Sequence, residues 1–157
     1  MAFVKSIPLS EARVKISRYC AYQERCHQEV RDKLFEYGLT RADVESLLAD
    51  LITDGYLNEE RFARSYAGGK FRMKKWGRLR ITRELEMKNV TPYCVRMALS
   101  EINDHEYLAA LRDLLLKKAS QLKEENVYVR RDKLATYVIG KGYEPELVWT
   151  SIREMLP

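Results

Sequence analysis

The sequence predicts an all-α protein, an array of three tandem three-helix repeats. Gly and Pro are scarce, with 7 and 4 residues among 157, and strict apolar/polar alternation is hard to find. Apolar residues instead recur at helical spacing almost throughout the chain. Three segments also align without gaps, which is typical of a repeat protein. They are EVRDKLFEYGLTRADVESLLADL, RITRELEMKNVTPYCVRMALSEI and KLATYVIGKGYEPELVWTSIREM.

The aligned segments carry apolar residues at the same four positions, which predicts the buried face of two helices in each repeat. The matched sets are Val30, Ile81 and Leu134; Leu34, Leu85 and Val138; Val44, Val95 and Val148; Leu48, Leu99 and Ile152. Between the two helices stand Gly38, Asn89 and Gly142. Gly adopts the left-handed conformation freely and Asn tolerates it, so these residues predict the ends of three helices.

The helix after each turn is predicted to start in the same way. An apolar residue precedes a capping position, and a Val follows five residues after the apolar one, which is the spacing of a hydrophobic staple. The apolar residues are Leu39, Val90 and Tyr143, and the capping positions are Thr40, Thr91 and Glu144. Pro92 and Pro145 stand at the first helical position, where a missing N–H has no cost. Thr is a good cap and Glu a poor one.

A further helix is predicted before each pair. The first starts at Ser10 as its cap, the second at Asn58, and the third near Asn103 or Asp104. The predicted organisation is therefore a tail at 1–9 and three-helix repeats at 10–57, 58–103 and 104–157. Repeats of about fifty residues are near the lower limit for burying a core alone, so neighbouring repeats are expected to pack on one another.

Composition favours a folded, soluble, cytoplasmic protein. Hydrophobic residues make up 46% and charged residues 32% of the chain. No apolar run approaches the roughly 20 residues that span a bilayer, and the first residues do not resemble a secretory signal. Three cysteines without an export signal are expected to be reduced thiols. The net charge is +5 and the pI about 9.1, which by itself argues only weakly for an anionic partner.

The positive charge is concentrated in one stretch. Nine Lys or Arg residues and no Asp or Glu lie between Arg61 and Arg83. On a regular helix one narrow stripe of this stretch is predicted to be core, namely Phe62, Tyr66, Gly69, Met73 and Trp76. The cations, with Phe71 as an outward aromatic, are predicted to form a partner-binding face. Its candidate residues are Arg61, Arg64, Lys70, Phe71, Arg72, Lys74, Lys75, Arg78, Arg80 and Arg83. Like charges at helical spacing repel, and an acidic partner, whether phosphate or carboxylate, would relieve that repulsion.

Residues for catalysis or cofactor binding are not apparent. The stretch Gly68–Lys70 fails the phosphate-loop motif because position 64 is Arg and position 71 is Phe. His27 and His105 lack paired ligand spacing, so neither a metal nor another cofactor is predicted. The carboxylates show no pair that could act as general acid and base, and we predict a binding protein rather than an enzyme. Gly68 and Gly69 are expected either to allow close helix packing or to mark a bend.

Two stretches resemble the RecX family, which regulates the bacterial RecA recombinase. They are GYLNEERFARSY and KKWGRLRITRELEMKNV, and the matching residues are Arg61, Phe62, Tyr66, Gly77, Arg80, Ile81, Glu84 and Leu85. The likeness covers most of the chain and weakens after about Asn103. Asn58 and Asn89 depart from the Asp and Gly that the family prefers, and AGG replaces a β-branched and a polar residue. These departures affect helix geometry more than the assignment.

The resemblance implies an elongated array of three-helix repeats that works as a non-catalytic modulator of the RecA nucleoprotein filament. Such a protein lies in the filament groove and limits filament extension, strand exchange, ATP turnover and the co-protease role of RecA. RecA is then the expected partner, DNA a weak and non-specific one, and the protein a monomer. Two other functions remain open, a stand-alone helical DNA-binding protein and a structural helical adaptor. No helix has an obvious base-reading set of Asn, Gln and Arg at its start, which argues against the former.

Overall fold

The computed structural model describes residues 6–156, and every regular element in that range is helical. The helices are α1 (Leu9–Tyr22), α2 (His27–Glu36), α3 (Arg41–Thr53), α4 (Glu59–Gly69), α5 (Arg78–Met87), α6 (Pro92–Leu99), α7 (Asp104–Gln121), α8 (Val127–Gly140) and α9 (Pro145–Met155). A single π-helical turn, Lys70–Lys74, continues α4. The predicted all-α class is confirmed. Within residues 6–156, every helix is too short or too polar to span a membrane.

The three predicted turns are confirmed by their backbone geometry. Gly38, Asn89 and Gly142 have φ angles of 83°, 60° and 104°, which lie in the left-handed region. Each of these residues lies two positions after the last residue of the second helix of its group, and the third helix begins three residues later, at Arg41, Pro92 or Pro145. The local chemistry of Gly and Asn therefore sets the turn at three places in the chain.

The two threonine caps form as predicted and the glutamate does not cap. Thr40 Oγ1 accepts a hydrogen bond from the Asp43 N–H at 3.2 Å, and Thr91 Oγ1 accepts one from the Cys94 N–H at 3.4 Å. Glu144 occupies the cap position of α9 without a capping bond from its side chain. Its carboxylate instead binds residues of other helices, as described below.

The first helix of each group begins with different chemistry. Asn58 accepts a hydrogen bond from the backbone three residues on, and Asn103 does the same, as predicted. Ser10 is not a cap, and that prediction was wrong. The cap position of α1 belongs to Pro8, whose carbonyl accepts the Ala12 N–H at 2.9 Å. The fixed φ of proline holds the chain ready for the helix, which begins one residue before Ser10.

The matched apolar positions form the interior of the protein. All of them except Leu99 are at most 6% exposed. Leu99 lies at the end of α6 and is half-buried. Burial of the same positions in each group is the expected result of helices that present one apolar stripe inward.

Packing divides the chain into two compact units. The first contains the described residues up to Ser65 together with Leu85–Met97, and its core lies among α1, α2 and α3. The second contains Tyr66–Glu84 and the described residues from Ala98 onward, so it holds the π-helical turn and α7, α8 and α9. The predicted repeat boundaries stay a prediction. Residues 1–5 of the predicted tail, and residue 157, lie outside the described residues.

The π-helical turn changes which side chains are buried after α4. Phe71, predicted to point outward, is 6% exposed, and Met73, predicted to be core, is 82% exposed. A π-helical turn accommodates more residues than an α-helical turn, so the stripe predicted for a regular helix does not continue through Lys70–Lys74. Phe62 is buried as predicted. Three other members of the stripe are half-buried: Tyr66, Gly69 and Trp76.

Candidate partner-binding surface

The connection between α4 and α5, together with the first part of α5, carries most of the predicted binding residues. We call residues 70–83 the cationic segment; all of it belongs to the second unit. Lys75 ends the π-helical turn in the left-handed conformation, with φ at 58°. Lysine rarely takes this conformation, which costs about 1 kcal/mol, so the surrounding contacts must hold the segment in place.

Backbone hydrogen bonds to the turn between α8 and α9 hold the segment. The N–H of Gly77 donates to the Lys141 carbonyl and that of Leu79 to the Gly142 carbonyl, both at 2.9 Å. A Cβ on Gly77 would lie 2.3 Å from the Gly142 carbonyl carbon. A Cβ on Gly142 would lie 2.3 Å from the Cβ of Arg80. Both positions therefore require glycine, and the close approach fixes the segment through its backbone.

Four cations of the segment are exposed and form no ion pair within residues 6–156. They are Arg72, Lys74, Lys75 and Arg83. A fifth cation, Lys141, reaches the segment from the turn that anchors it. Its Nζ lies 3.5 Å from the Lys74 carbonyl oxygen, and it was not among the predicted residues. The only sequence signal for it was GKG at 140–142, which predicted a helix end.

Trp76 organises two further cations of the segment. The Arg80 guanidinium lies 4.3 Å from the centroid of its ring, and Lys70 Nζ lies 5.1 Å from it. Lys70 Nζ is also 5.4 Å from the Tyr66 ring. These cation–π contacts orient the two side chains without neutralising their charge.

Arg78 is the cation of the segment that carboxylates neutralise. It forms ion pairs with Glu144 at 3.2 Å and with Asp104. Its guanidinium carbon lies 3.9 Å from the centroid of the Tyr107 ring, and its backbone N–H donates to the Tyr107 hydroxyl at 3.0 Å. That hydroxyl in turn donates to Glu144. Arg78 therefore joins α5 to the starts of α7 and α9, and its role within the chain is structural.

Phe71 belongs to an aromatic cluster inside the second unit, which corrects its predicted role as an exposed binding residue. Its ring centroid lies 5.9 Å from that of Tyr107, and Tyr107 stacks on Tyr143 at 4.9 Å. Burial raises the pKa of both tyrosines, and the bond to the Glu144 carboxylate raises that of Tyr107 further. Both tyrosines therefore stay neutral, and their rings pack with Phe71, which belongs to the cationic segment.

Arg61 and Arg64, which lie in the first unit, have carboxylate partners. Arg61 Nε lies 2.6 Å from Glu24, and its Nη2 donates to the Gly55 carbonyl at 3.1 Å. Arg64 pairs with Glu60 at 3.3 Å. The sequence places no acid between residues 61 and 83, but the fold brings acids from outside that stretch to these arginines.

The two adjacent glycines of α4 differ in their surroundings. A Cβ on Gly68 would lie 2.8 Å from a guanidinium nitrogen of Arg72, while a Cβ on Gly69 would meet nothing within 4 Å. Gly68 therefore makes room for a side chain of the next turn. Gly69 immediately precedes the π-helical turn. Because Gly68 and Gly69 are helical, the GGK sequence forms no phosphate-binding loop.

The cysteines lie outside the cationic segment, inside the protein. The three cysteines are buried and free. Burial raises the pKa of the Cys20 and Cys26 thiols to about 11, which keeps them protonated and unreactive. Among the described residues, no group of three or more His, Cys, Asp or Glu side chains is placed to hold a metal ion.

The helical groups and this surface define a class, an all-α protein of three-helix domains with a strongly cationic connection in its middle group. Two family models match the chain and together span more than half of it. They are described as the second three-helix domain of RecX, at residues 58–99, and its third, at residues 105–152. The chain belongs to the RecX family.

Curated relatives carry the name Regulatory protein RecX. The protein from Prosthecochloris aestuarii is 29% identical over 150 residues, covering 94% of this chain and 97% of that one. The protein from Lactobacillus delbrueckii subsp. bulgaricus is 27% identical over 144 residues, covering 90% of this chain but 52% of the relative. The chain thus spans nearly the whole of one relative and about half of the other.

Solved structures share the fold. The crystal structure of RecX from Lactobacillus salivarius superimposes with a TM-score of 0.86 at 22% identity, covering 94% of this chain and 96% of that one. A second crystal structure, of a regulatory protein RecX, gives a TM-score of 0.84 at 20% identity over 93% of this chain and 71% of that one. At this identity the likeness concerns the fold alone.

Proposed function

We propose that the protein is a non-catalytic modulator of the RecA recombinase that binds the RecA nucleoprotein filament through the cationic segment. One observation carries the proposal: four exposed cations without an internal carboxylate partner lie on a segment fixed by backbone hydrogen bonds, inside a RecX domain. Such a surface attracts an acidic face of a protein, and DNA phosphate where it lies close by.

The proposed mechanism is occlusion and bridging. The protein occupies the groove of the filament as a monomer, in the cytoplasm, and contacts neighbouring RecA protomers. It thereby limits filament extension, strand exchange, ATP hydrolysis and co-protease activity without catalysing a reaction. A cationic segment with a fixed backbone suits this role because little backbone freedom is lost on binding.

RecA-dependent ATP hydrolysis on single-stranded DNA tests the proposal when this protein is titrated into the reaction. The wild type is expected to inhibit, and the triple variant Arg72→Glu, Lys74→Glu and Arg83→Glu to need at least about tenfold more protein for the same effect. These three residues are exposed, whereas Arg80 packs on Trp76 and Lys75 has a left-handed backbone.

A matched control reverses the same amount of charge elsewhere. Arg18, Arg41 and Lys123 are also exposed, and their replacement by Glu is expected to leave inhibition unchanged. Far-ultraviolet circular dichroism checks that both triple variants keep their helices. Inhibition by the Arg72, Lys74 and Arg83 variant at wild-type doses would show that the cationic segment is not the contact.

Titration of the protein with naked DNA across a range of salt concentrations distinguishes the proposed function from the alternative, a stand-alone DNA-binding protein. Weak binding that falls steeply with salt is expected, because it depends on counterion release from phosphates. Tight, sequence-selective binding at physiological salt would instead favour a stand-alone DNA-binding protein.

A further inference from the structure

A cleft of about 340 Å³ lies between α8 and α9 in the second unit. Each helix contributes three residues at positions i, i+3 and i+4, so one face of each helix lines the cleft. The lining residues are Tyr128, Arg131 and Asp132 from α8, and Trp149, Ile152 and Arg153 from α9. None of them belongs to the cationic segment.

The cleft combines an apolar floor with an aromatic rim. Ile152 is fully buried and Trp149 half-buried, while Tyr128 is 77% exposed. A partly exposed Trp beside an exposed Tyr provides apolar area with few rotatable bonds, and Trp, Tyr and Arg are the residues that dominate binding at protein interfaces. The floor suits one apolar side chain.

The two arginines of the cleft have N–H groups that donate to no acceptor in residues 6–156. Arg131 Nη2 donates to the Leu156 carbonyl at 3.0 Å, but its Nε is buried and has no acceptor within residues 6–156. Arg153 Nη2 has a weak contact with Thr150 Oγ1, at 3.5 Å. Neither arginine forms an ion pair in the described chain. A guanidinium has five N–H donors, so these contacts leave donors on both arginines without an acceptor in residues 6–156, and an oxygen ligand could accept from them.

Asp132 distinguishes this cleft from the cationic segment. It gives the cleft a net charge of only about +1, with two arginines and one carboxylate in the lining. A run of phosphates would be repelled by that carboxylate. A peptide suits the site better, because one of its carboxylates can accept from the arginines while a backbone N–H donates to Asp132.

We propose that this cleft binds a short acidic peptide segment of a partner protein, in which an Asp or Glu side chain lies beside an apolar one. The carboxylate binds Arg131 and Arg153, and the apolar side chain lies against Trp149 and Ile152. This site is a second contact surface, and it does not depend on the function proposed for the cationic segment.

Nuclear magnetic resonance of the full ¹⁵N-labelled chain tests the proposal. The chain has two tryptophans, and Trp76→Phe assigns the indole N–H signal of Trp149. The blocked peptide acetyl-Leu-Asp-Leu-amide is expected to shift that signal in a saturable way at millimolar concentration, which suits a single short contact. The same peptide with Asn in place of Asp is expected to bind at least about tenfold more weakly.

Two variants locate the effect. Arg153 is exposed, so the variant Arg153→Gln should fold, and its affinity for the acidic peptide is expected to fall about tenfold. Lys123→Gln makes the same charge change outside the cleft, and the peptide affinity is expected to stay unchanged. Equal binding of the two peptides, or no effect of Arg153→Gln, would overturn the proposal. So would a stronger, Arg153-dependent shift with oligothymidylate, which would identify a nucleic-acid site.

Discussion

The connection from α1 to α2 and the connection from α4 to α5 hold equivalent places in the first two helical groups, but they use charge differently. In the first connection, Glu24 accepts from Arg61 Nε at 2.6 Å. Arg25 lies 3.7 Å from the centroid of the Tyr19 ring and donates to the Tyr19 carbonyl at 3.0 Å. The charged groups of this connection are therefore occupied in holding the first unit together.

The second connection is held by its backbone and, where α5 begins, by the ion pairs of Arg78. Gly77 and Leu79 donate to the turn between α8 and α9, and no carboxylate lies within residues 70–83. Its exposed cations are not needed to fix the fold. The comparison shows how a connection can keep charge available for a partner: backbone hydrogen bonds fix its position, and the side chains then remain free to bind.

Replacement of Gly77 by Ala should break this second connection, with the largest effect. Its Cβ would lie 2.3 Å from the backbone of Gly142, which cannot shift without losing the hydrogen bonds of the turn. We expect a loss of about 4 kcal/mol or more in the free energy of unfolding, measured by urea denaturation.

Gly140→Ala is the matched control for Gly77→Ala. Gly140 is the last residue of α8, and a Cβ there meets nothing within 4 Å. Because Ala favours a helix over Gly, this variant should be unchanged or more stable by up to about 1 kcal/mol. Similar losses in both variants would contradict the close approach of Gly77 to Gly142.

Phe71 and Met73 provide a second test, which concerns the π-helical turn. Phe71→Ala removes a buried ring and should cost about 3–5 kcal/mol in the free energy of unfolding, whereas Met73→Ala should cost less than about 0.5 kcal/mol. A regular helix through Lys70–Lys74 predicts the opposite ranking. Urea denaturation of the two variants therefore shows directly which of the two side chains faces the interior.

Features set by local chemistry could be predicted from the sequence. The left-handed turns at Gly38, Asn89 and Gly142 depend on one residue each, and the caps at Thr40 and Thr91 on contacts three residues apart. The same holds for the helical periodicity that predicted most of the core. Such signals are complete within a few residues, so a single sequence displays them.

The candidate surface could be predicted only in outline. The concentration of cations is visible in the sequence, but their partners are not. Arg78 pairs with Glu144, which is 66 residues away, and Arg61 with Glu24, which is 37 residues away. The π-helical turn also lacks a local signature beyond the preceding Gly68 and Gly69. Contacts between distant residues decide which cations remain exposed, and periodicity carries no information on them.

The thiols beside the first connection predict a dependence on pH. Burial raises the pKa of Cys20 and Cys26 from the ordinary 9.0 to about 11. The unfolded thiols therefore ionise first, so their contribution to stability is intact below pH 9 and is lost as the pH rises to 11. At pH 10 the loss should be about 1 kcal/mol per thiol.

Urea denaturation at pH 8 and pH 10 under reducing conditions measures this loss. The double variant Cys20→Ala/Cys26→Ser lacks both thiols but retains the tyrosines, whose ionisation affects both proteins alike. The wild type should lose about 2 kcal/mol more than this variant between the two pH values. Equal losses would show that the thiols are not protected by burial.

Glu144 gives the last test, in which local and long-range contacts predict opposite changes in the free energy of unfolding. Ser is a better cap than Glu, so local reasoning expects Glu144→Ser to stabilise α9 by about 1 kcal/mol. The fold predicts a net loss of about 1 kcal/mol, because Ser cannot accept the bonds from Arg78 and the nearly buried Tyr107 hydroxyl. Glu144→Gln retains an acceptor oxygen and should be less harmful in urea denaturation. A gain in stability with Ser would show that the anchor of the second connection does not depend on this carboxylate.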